Sequence, residues 1–195
     1  MIVIVDYGAG NILSVSCALK RLGEEYILSD DPAVIAGAER LILPGVGNAA
    51  AALGSLRSKG LDGVIRSLRK PVLGICVGMQ ILCNYCEEGD SAGLGVFDCE
   101  VRRFPSDPDA KVPHMGWNRI SNLEGKLFRG VENGSYVYFV HSYAPTTGPD
   151  TVATCRHGEV LFSAALRYEN FFGTQFHPEK SGATGEMILK NFLSL

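Results

Sequence analysis

The sequence contains no apolar stretch approaching the ~20 residues that cross a bilayer, and it has no excess of positive charge. Lysine and arginine total 18 against 21 aspartates and glutamates, for a net charge of −3. Charge therefore offers no argument for binding nucleic acid or an anionic membrane surface. The opening run Met1-Ile2-Val3-Ile4-Val5-Asp6 is too short and lacks the basic flank of a secretory signal, so a cytosolic protein is expected. No linker, repeat or low-complexity segment interrupts the chain, which predicts a single domain over 1–195. Metal-ligand spacing is also scarce. Among six cysteines only Cys83-Asn84-Tyr85-Cys86 forms a Cys-x-x-Cys, and no second pair follows at a zinc-like distance. Met79, Leu82, Cys83 and Cys86 fall at i, i+3, i+4 and i+7, the apolar stripe of a helix. The cysteines are accordingly read as thiols in a reducing compartment, with Cys83 and Cys86 as small core hydrophobes. No metal and no cofactor are expected.

What the chain does have is glycine at the ends of apolar runs. Pro71-Val72-Leu73 leads into Gly74-Ile75-Cys76-Val77-Gly78-Met79-Gln80, which reads as a buried strand, a sharp turn and a helix with Cys76 at the tip. This is a nucleophile elbow that carries a thiol in place of the usual serine. A strand reversing so tightly into a helix leaves no room for side chains two residues either side of the nucleophile, so both flanking positions must be glycine. A helix N-terminus at Cys76 favours the thiolate.

The first ~90 residues alternate as a doubly wound parallel sheet does. The run 2–6 is a strand, and Asp6-Tyr7-Gly8-Ala9-Gly10-Asn11 turns into a helix with Ile12, Val15, Ala18, Leu19 and Leu22 on one face, closed by Gly23. Leu13 stands where a dinucleotide fingerprint needs its third glycine, so this is read as a plain strand-to-helix turn. Tyr26-Ile27-Leu28 and Arg40-Leu41-Ile42-Leu43-Pro44 read as strands, with a short helix opened by Asp31 and Pro32 between them. Pro44-Gly45-Val46-Gly47-Asn48 then precedes a helix, and another helix (Leu61, Val64, Ile65, Leu68) leads to the elbow. Glycine-flanked turns leave backbone amides free to face a ligand, and ligands on such sheets collect at the C-terminal strand ends.

The texture changes after Gly89. Residues 98–118 read as short strands and loops, 136–141 as a strand, and 151–155 with 159–166 as an antiparallel hairpin turning at His157-Gly158. Residues 171–176 form a further strand, and a helix over 182–193 closes the chain. The predicted fold class is α/β, flavodoxin-like: a mostly parallel central sheet with helices on both faces and an antiparallel extension in the C-terminal half.

A cysteine nucleophile needs a base, and the base needs an orienting group. His177 sits at a strand end with Glu179 two residues on, across a proline that stiffens the connection. His157 is read as a solvated turn residue, and His114 and His141 as structural or partner-facing.

The segments Pro44-Gly45-Val46-Gly47, Gly74-Ile75-Cys76-Val77-Gly78-Met79-Gln80 and Gln175-Phe176-His177-Pro178-Glu179 together resemble the class I (triad) glutamine amidotransferase family over essentially the whole chain. Within it, Asp6-Tyr7-Gly8-Ala9-Gly10-Asn11, Pro113-His114-Met115-Gly116-Trp117-Asn118, Phe139-Val140-His141-Ser142-Tyr143 and Lys180-Ser181 are similar to the glutaminase subunits that serve histidine biosynthesis. The vitamin B6 branch is disfavoured, since it carries Pro-Gly-Gly-Glu-Ser at the first turn. The resemblance implies Cys76 as nucleophile toward the side-chain amide of L-glutamine, with His177 and Glu179 completing the triad. It further implies an oxyanion hole from the backbone of Val46, Gly47 and Val77, and glutamine binding by Gln80, Glu88, Ser142 and Tyr143. Eight helical residues beyond Gln80 would carry Glu88 ~12 Å along the axis. The helix must therefore end early for Glu88 to reach the site, and Glu87 remains a substitute. The implied partner is a separate cyclase subunit with a (β/α)8 barrel that receives ammonia, with Asn11, Trp117 and Lys180 at the heterodimer interface. A redox-sensing elbow-cysteine protein of the same fold is the competing reading; it would need neither His177 nor a glutamine pocket.

Overall fold

The computed structural model describes every residue except 9 and 109, so Ala9 of the first glycine-rich turn and one position of the 98–118 segment lie outside the described residues. The chain opens with β1 (Ile2–Val5), whose four residues are all buried. A strand covered on both faces reads as such an unbroken apolar run. Asn11 caps α1 (Ile12–Arg21) by accepting a hydrogen bond from the Ser14 amide, and the helix buries Val15, Ala18 and Leu19. β2 (Tyr26–Ser29) follows. Asp31 then caps α2 (Pro32–Ala36), with proline in the first turn where its missing N–H costs nothing. β3 (Arg40–Gly45) leads to α3 (Ala49–Ser58), capped by Asn48, then α4 (Leu61–Ser67) and β4 (Val72–Cys76).

Beyond β4 the chain departs from the helical expectation. α5 covers only Val77–Gln80, and Cys83–Cys86 is a strand, β5. The spacing misled because a register shift between Cys83 and Tyr85, where β5 pairs with β7 (Phe97–Arg103), turns both cysteines inward although they stand three apart. An odd spacing on one face marks a helix unless such an irregularity intervenes. Cys83 and Cys86 are buried, as small core hydrophobes should be, and all six cysteines are free thiols. The early end of α5 also removes the axial distance that would have kept Glu88 from the cleft.

The remaining strands are β6 (Ser91–Ala92), β8 (His114–Arg119), β9 (Tyr136–His141), β10 (Tyr143–Pro145), β11 (Thr151–His157), β12 (Val160–Tyr168) and β13 (Phe171–Thr174), and α6 (Gly182–Leu193) ends the chain. The central sheet runs β11-β12-β13-β4-β3-β1-β2. β13, β4, β3, β1 and β2 are mutually parallel, and β12 and β11 add antiparallel strands on the β13 side. This is the mixed α/β sheet expected from the sequence. Right-handed crossovers place α1 on one face and α2, α3 and α4 on the other. The β11–β12 hairpin turns at Gly158-Glu159, one residue later than read from the sequence. A four-stranded sheet, β10-β7-β5-β6, and a ribbon of β8 and β9 flank the C-terminal strand ends. Among the described residues, no helix is long and apolar enough to cross a membrane.

Candidate active site

The elbow lies where the sheet is most crowded. β4 extends through Gly74 and Ile75 to Cys76, which takes φ 54° and ψ −112°, a backbone conformation rarely adopted by a non-glycine residue. Such an outlier persists only where its surroundings fix it, and the glycines show how they do. A Cβ on Gly78 would lie 1.9 Å from the Leu43 carbonyl oxygen, one on Gly45 2.3 Å from the Gly78 nitrogen, and one on Gly74 2.7 Å from the Gly78 oxygen. The turn is thus packed backbone against backbone onto β3, with Cys76 at its tip.

Cys76 opens into a solvent-accessible cleft of about 260 Å³, near the lower end of small-molecule sites. Cys76, His177, Val46, Gly47, Val77, Gln80, Glu88, Ser142 and Tyr143 all line it. Nine residues chosen from separate stretches of sequence therefore meet in one cavity, together with Pro113, Val140 and His141. Glu88 is half-buried and its carboxylate accepts the Ala49 amide at 2.7 Å. Glu87 is exposed and accepts from the Arg103 amide instead, outside the cleft. The carboxylate available to a ligand is therefore Glu88.

His177 ends the β13 stretch, and the Pro178–Lys180 turn brings Glu179 back beneath it. Nδ1 of His177 and Oε1 of Glu179 are 2.8 Å apart and both side chains are buried. Ser181 holds the base of this turn, its hydroxyl donating to the His177 carbonyl and accepting from the Tyr138 amide. Among the described residues, His177 Nε2 is buried without a hydrogen-bond partner. Burial disfavours the imidazolium, but the interactions with Cys76 and Glu179 outweigh it and hold the His177 pKa at about 9. The imidazole is therefore protonated at neutral pH, with its free nitrogen available to a substrate.

Of the other histidines, one differs from its sequence reading. His157 is not a solvated turn residue: it is half-buried at the end of β11, stacked on His114 at 4.2 Å between ring centres, with Nε2 bonded to the Lys111 carbonyl. Its place in the hairpin looked exposed because the turn was set one residue early. His114 and His141 are buried and linked, Nδ1 to Nε2, at 3.0 Å. Burial chiefly lowers both, His114 to about 4 and His141 to about 3. An unfolded chain would protonate these histidines near 6.5 while the folded one does not. Stability should consequently fall as pH drops below 6.5, by about 2 kcal/mol between pH 6.5 and 5.5 for the two together. That window lies above the ordinary carboxylate range. Urea midpoints at the two pH values measure the effect, and a flat profile would contradict buried neutral histidines.

Two residues that contact the site were missed. The Tyr7 hydroxyl donates to the Pro44 carbonyl at 2.6 Å, anchoring the turn that carries Val46 and Gly47; burial, then the nearby Cys76, raises its pKa. Gln175 is fully buried with Nε2 3.6 Å from the Cys76 sulfur. Strand parity was the available clue for Gln175, since residues two apart share a face. Of the residues expected at a partner interface, Asn11 caps α1 and is partly exposed, whereas Trp117 and Lys180 are exposed beside Tyr138. The Trp117 ring lies 6.1 Å from that of Tyr138, and the Lys180 ammonium 5.9 Å above the same ring.

Residues 3–195 match the family described as glutamine amidotransferase class-I. Over 195 residues the chain is 50% identical to "Imidazole glycerol phosphate synthase subunit HisH" of Bacteroides fragilis strain YCH46, an alignment covering 100% of this chain and 99% of that protein. Against the protein of the same name from Escherichia coli strain K12 it is 47% identical over 196 residues, covering 100% and 99%. A crystal structure of a glutamine amidotransferase superposes with a TM-score of 0.75 at 21% identity, covering 100% of this chain and 98% of that one, a likeness of fold.

Proposed function

This chain belongs to the class I glutamine amidotransferase family, and we propose that it is the glutaminase subunit of an imidazole glycerol phosphate synthase. The observation that carries this reading is the meeting of Cys76 and the His177–Glu179 pair in one cleft, in a chain half identical to named HisH subunits along its full length. In this reading the Cys76 sulfur attacks the side-chain carbonyl carbon of glutamine. The oxygen, now negative, faces backbone amides of the Val46-Gly47 turn and of Val77, where donors aimed at developing charge are most effective. His177 passes its Nε2 proton to the departing nitrogen, ammonia leaves, and a thioester remains. Glu179 holds the imidazole by Nδ1 throughout. His177 then takes a proton from water, which attacks the thioester and releases glutamate. Glu88 would receive the substrate's α-amino group, and Ser142 and Tyr143 would flank its backbone end.

Ammonia at neutral pH is mostly protonated and useless as a nucleophile, so it must pass directly to a second site. The proposed recipient is a cyclase subunit, a (β/α)8 barrel docked over the cleft. It would consume ammonia and a phosphoribulosyl-formimino carboxamide ribotide to give imidazole glycerol phosphate and aminoimidazole carboxamide ribotide. Asn11, Trp117 and Lys180 are the proposed contact positions on this chain.

The test is glutamate release from glutamine by this chain with and without a cyclase barrel and its ribotide ligand. Low basal turnover with strong stimulation by partner and ligand is expected. Absence of hydrolysis under every such condition would return Cys76 to the redox reading.

A further inference from the structure

The hydrogen bonds behind the cleft have a fixed direction, set by one atom. The backbone oxygen of Tyr143 can only accept. Two groups point at it, Gln80 Nε2 at 3.0 Å and His141 Nδ1 at 2.8 Å. The amide group of Gln80 must therefore present its nitrogen there, and its second N–H reaches Gln175 Oε1 at 2.9 Å. With that oxygen engaged, Gln175 has its nitrogen at the other end, 3.6 Å from the Cys76 sulfur. The histidine side is fixed in the same way. His141 Nδ1 donates to Tyr143, so Nε2 of the neutral ring accepts from His114 Nδ1. His114 Nε2 then accepts from the Asn118 amide nitrogen at 3.1 Å. No amide flip or change of tautomer satisfies all these contacts.

Gln80 has thereby committed both of its N–H groups inside the protein, and only its oxygen could serve a ligand. Gln80 and Gln175 are both buried, and a donor aimed at sulfur inside a protein favours the charged form of that sulfur.

We propose that Gln175 is the hydrogen-bond donor that holds the Cys76 thiolate, and that Gln80 is the positioning residue that keeps the donor end of Gln175 toward the sulfur by pinning it to the Tyr143 carbonyl. The proposal deepens the glutaminase reading and rests on it for its catalytic meaning, but the thiol chemistry can be measured separately. The probe is iodoacetamide, with modification of the Cys76 peptide followed by mass spectrometry in the intact chain because Cys17 is exposed and would react as well.

Gln175→Met conserves volume and removes the donor. Loss of a hydrogen bond to a charged group cuts the thiolate fraction at neutral pH by tenfold or more, and the greater intrinsic nucleophilicity of a more basic thiolate offsets about half of that on a logarithmic scale. Alkylation of Cys76 at pH 7 should slow by roughly fivefold. At higher pH the deficit should narrow, since the more basic thiolate is the better nucleophile. Gln80→Met leaves Gln175 in place but frees it to turn, and should slow alkylation in the same direction by about twofold, since an unpinned amide offers either end. In the complex, Gln175→Met should lower kcat for glutamine with little change in KM.

An unchanged Cys76 rate at pH 7 in Gln175→Met overturns the proposal. So does a faster rate at every pH, which would mean that Gln175 only shields the thiol. Should Gln175→Met fail to fold, an unchanged profile in Gln80→Met overturns it instead. If no glutaminase activity can be elicited while the two alkylation profiles shift as stated, the functional reading falls and the thiolate assignment stands; stimulated glutaminase activity with unshifted profiles gives the reverse.

Discussion

Alanine at Cys76, at His177, or at both together is expected to cause one and the same loss, roughly 10⁵-fold or more in partner-stimulated glutamine hydrolysis, because groups that act as a unit are lost as a unit. A thiolate without His177 cannot deliver a proton to departing ammonia, and an imidazolium without Cys76 has no tetrahedral intermediate to protonate. Glu179→Gln should fall short of this, at about 10³- to 10⁴-fold, since the amide keeps the 2.8 Å contact to Nδ1 but no longer favours the charged ring. The pH profile belongs to the same prediction. The His177 pKa is raised to about 9 by its two partners against the effect of burial, so kcat/KM should decline as pH rises through that value and the proton is lost. The sign for stability agrees: the contribution of the pair is fully present below the unfolded value of about 6.5 and is lost as pH approaches 9. Steady-state glutamate release in the complex, for the three single variants and the Cys76/His177 double variant, decides the matter. Losses that multiply in the double variant would mean that the two side chains do not work in one step.

How much of this could be read from the sequence depended on whether a feature was local. The elbow was legible because its demands are covalent and immediate: glycines two residues either side of a cysteine, after an apolar run, admit few backbones. The same holds for His177 and Glu179, joined by Pro178 across a single turn. Asp31, with Pro32, announced its helix because capping is a short-range bond. The stretch 83–86 was not legible, because its inward-facing cysteines depend on how β5 registers against β7, and register is a property of two strands. Gln175 stood in a quoted motif yet went unassigned. Its role follows from which atom of Gln80 faces Tyr143, an arrangement spread over residues 80, 143 and 175. Glu88 was placed by the family resemblance despite a difficulty of helix length, and the short α5 removes that difficulty.

Gly78→Ala should be among the most damaging single-methyl changes in the chain, with a cost above about 4 kcal/mol or failure to fold. The new Cβ would stand 1.9 Å from the Leu43 oxygen and 2.9 Å from the Leu43 carbonyl carbon. Both are backbone atoms of β3, a strand paired with β1 on one side and β4 on the other, so the obstacle cannot swing aside as a side chain could. Moving α5 instead would shift Cys76, whose strained backbone is held by that same packing. Two other glycines separate this mechanism from ordinary glycine effects. Gly60 has φ 66° and open space about it, so Gly60→Ala meets only the left-handed penalty of about 1–2 kcal/mol. Gly63 lies exposed within α4 with nothing near its missing Cβ, and Gly63→Ala should stabilise by about 0.5–1 kcal/mol. Urea unfolding of the three variants should order them Gly78, Gly60, Gly63 from least to most stable. A Gly78→Ala protein within about 1 kcal/mol of the parent would show that the elbow can relax away from β3. The backbone conformation of Cys76, φ 54°, would then not be enforced by that packing.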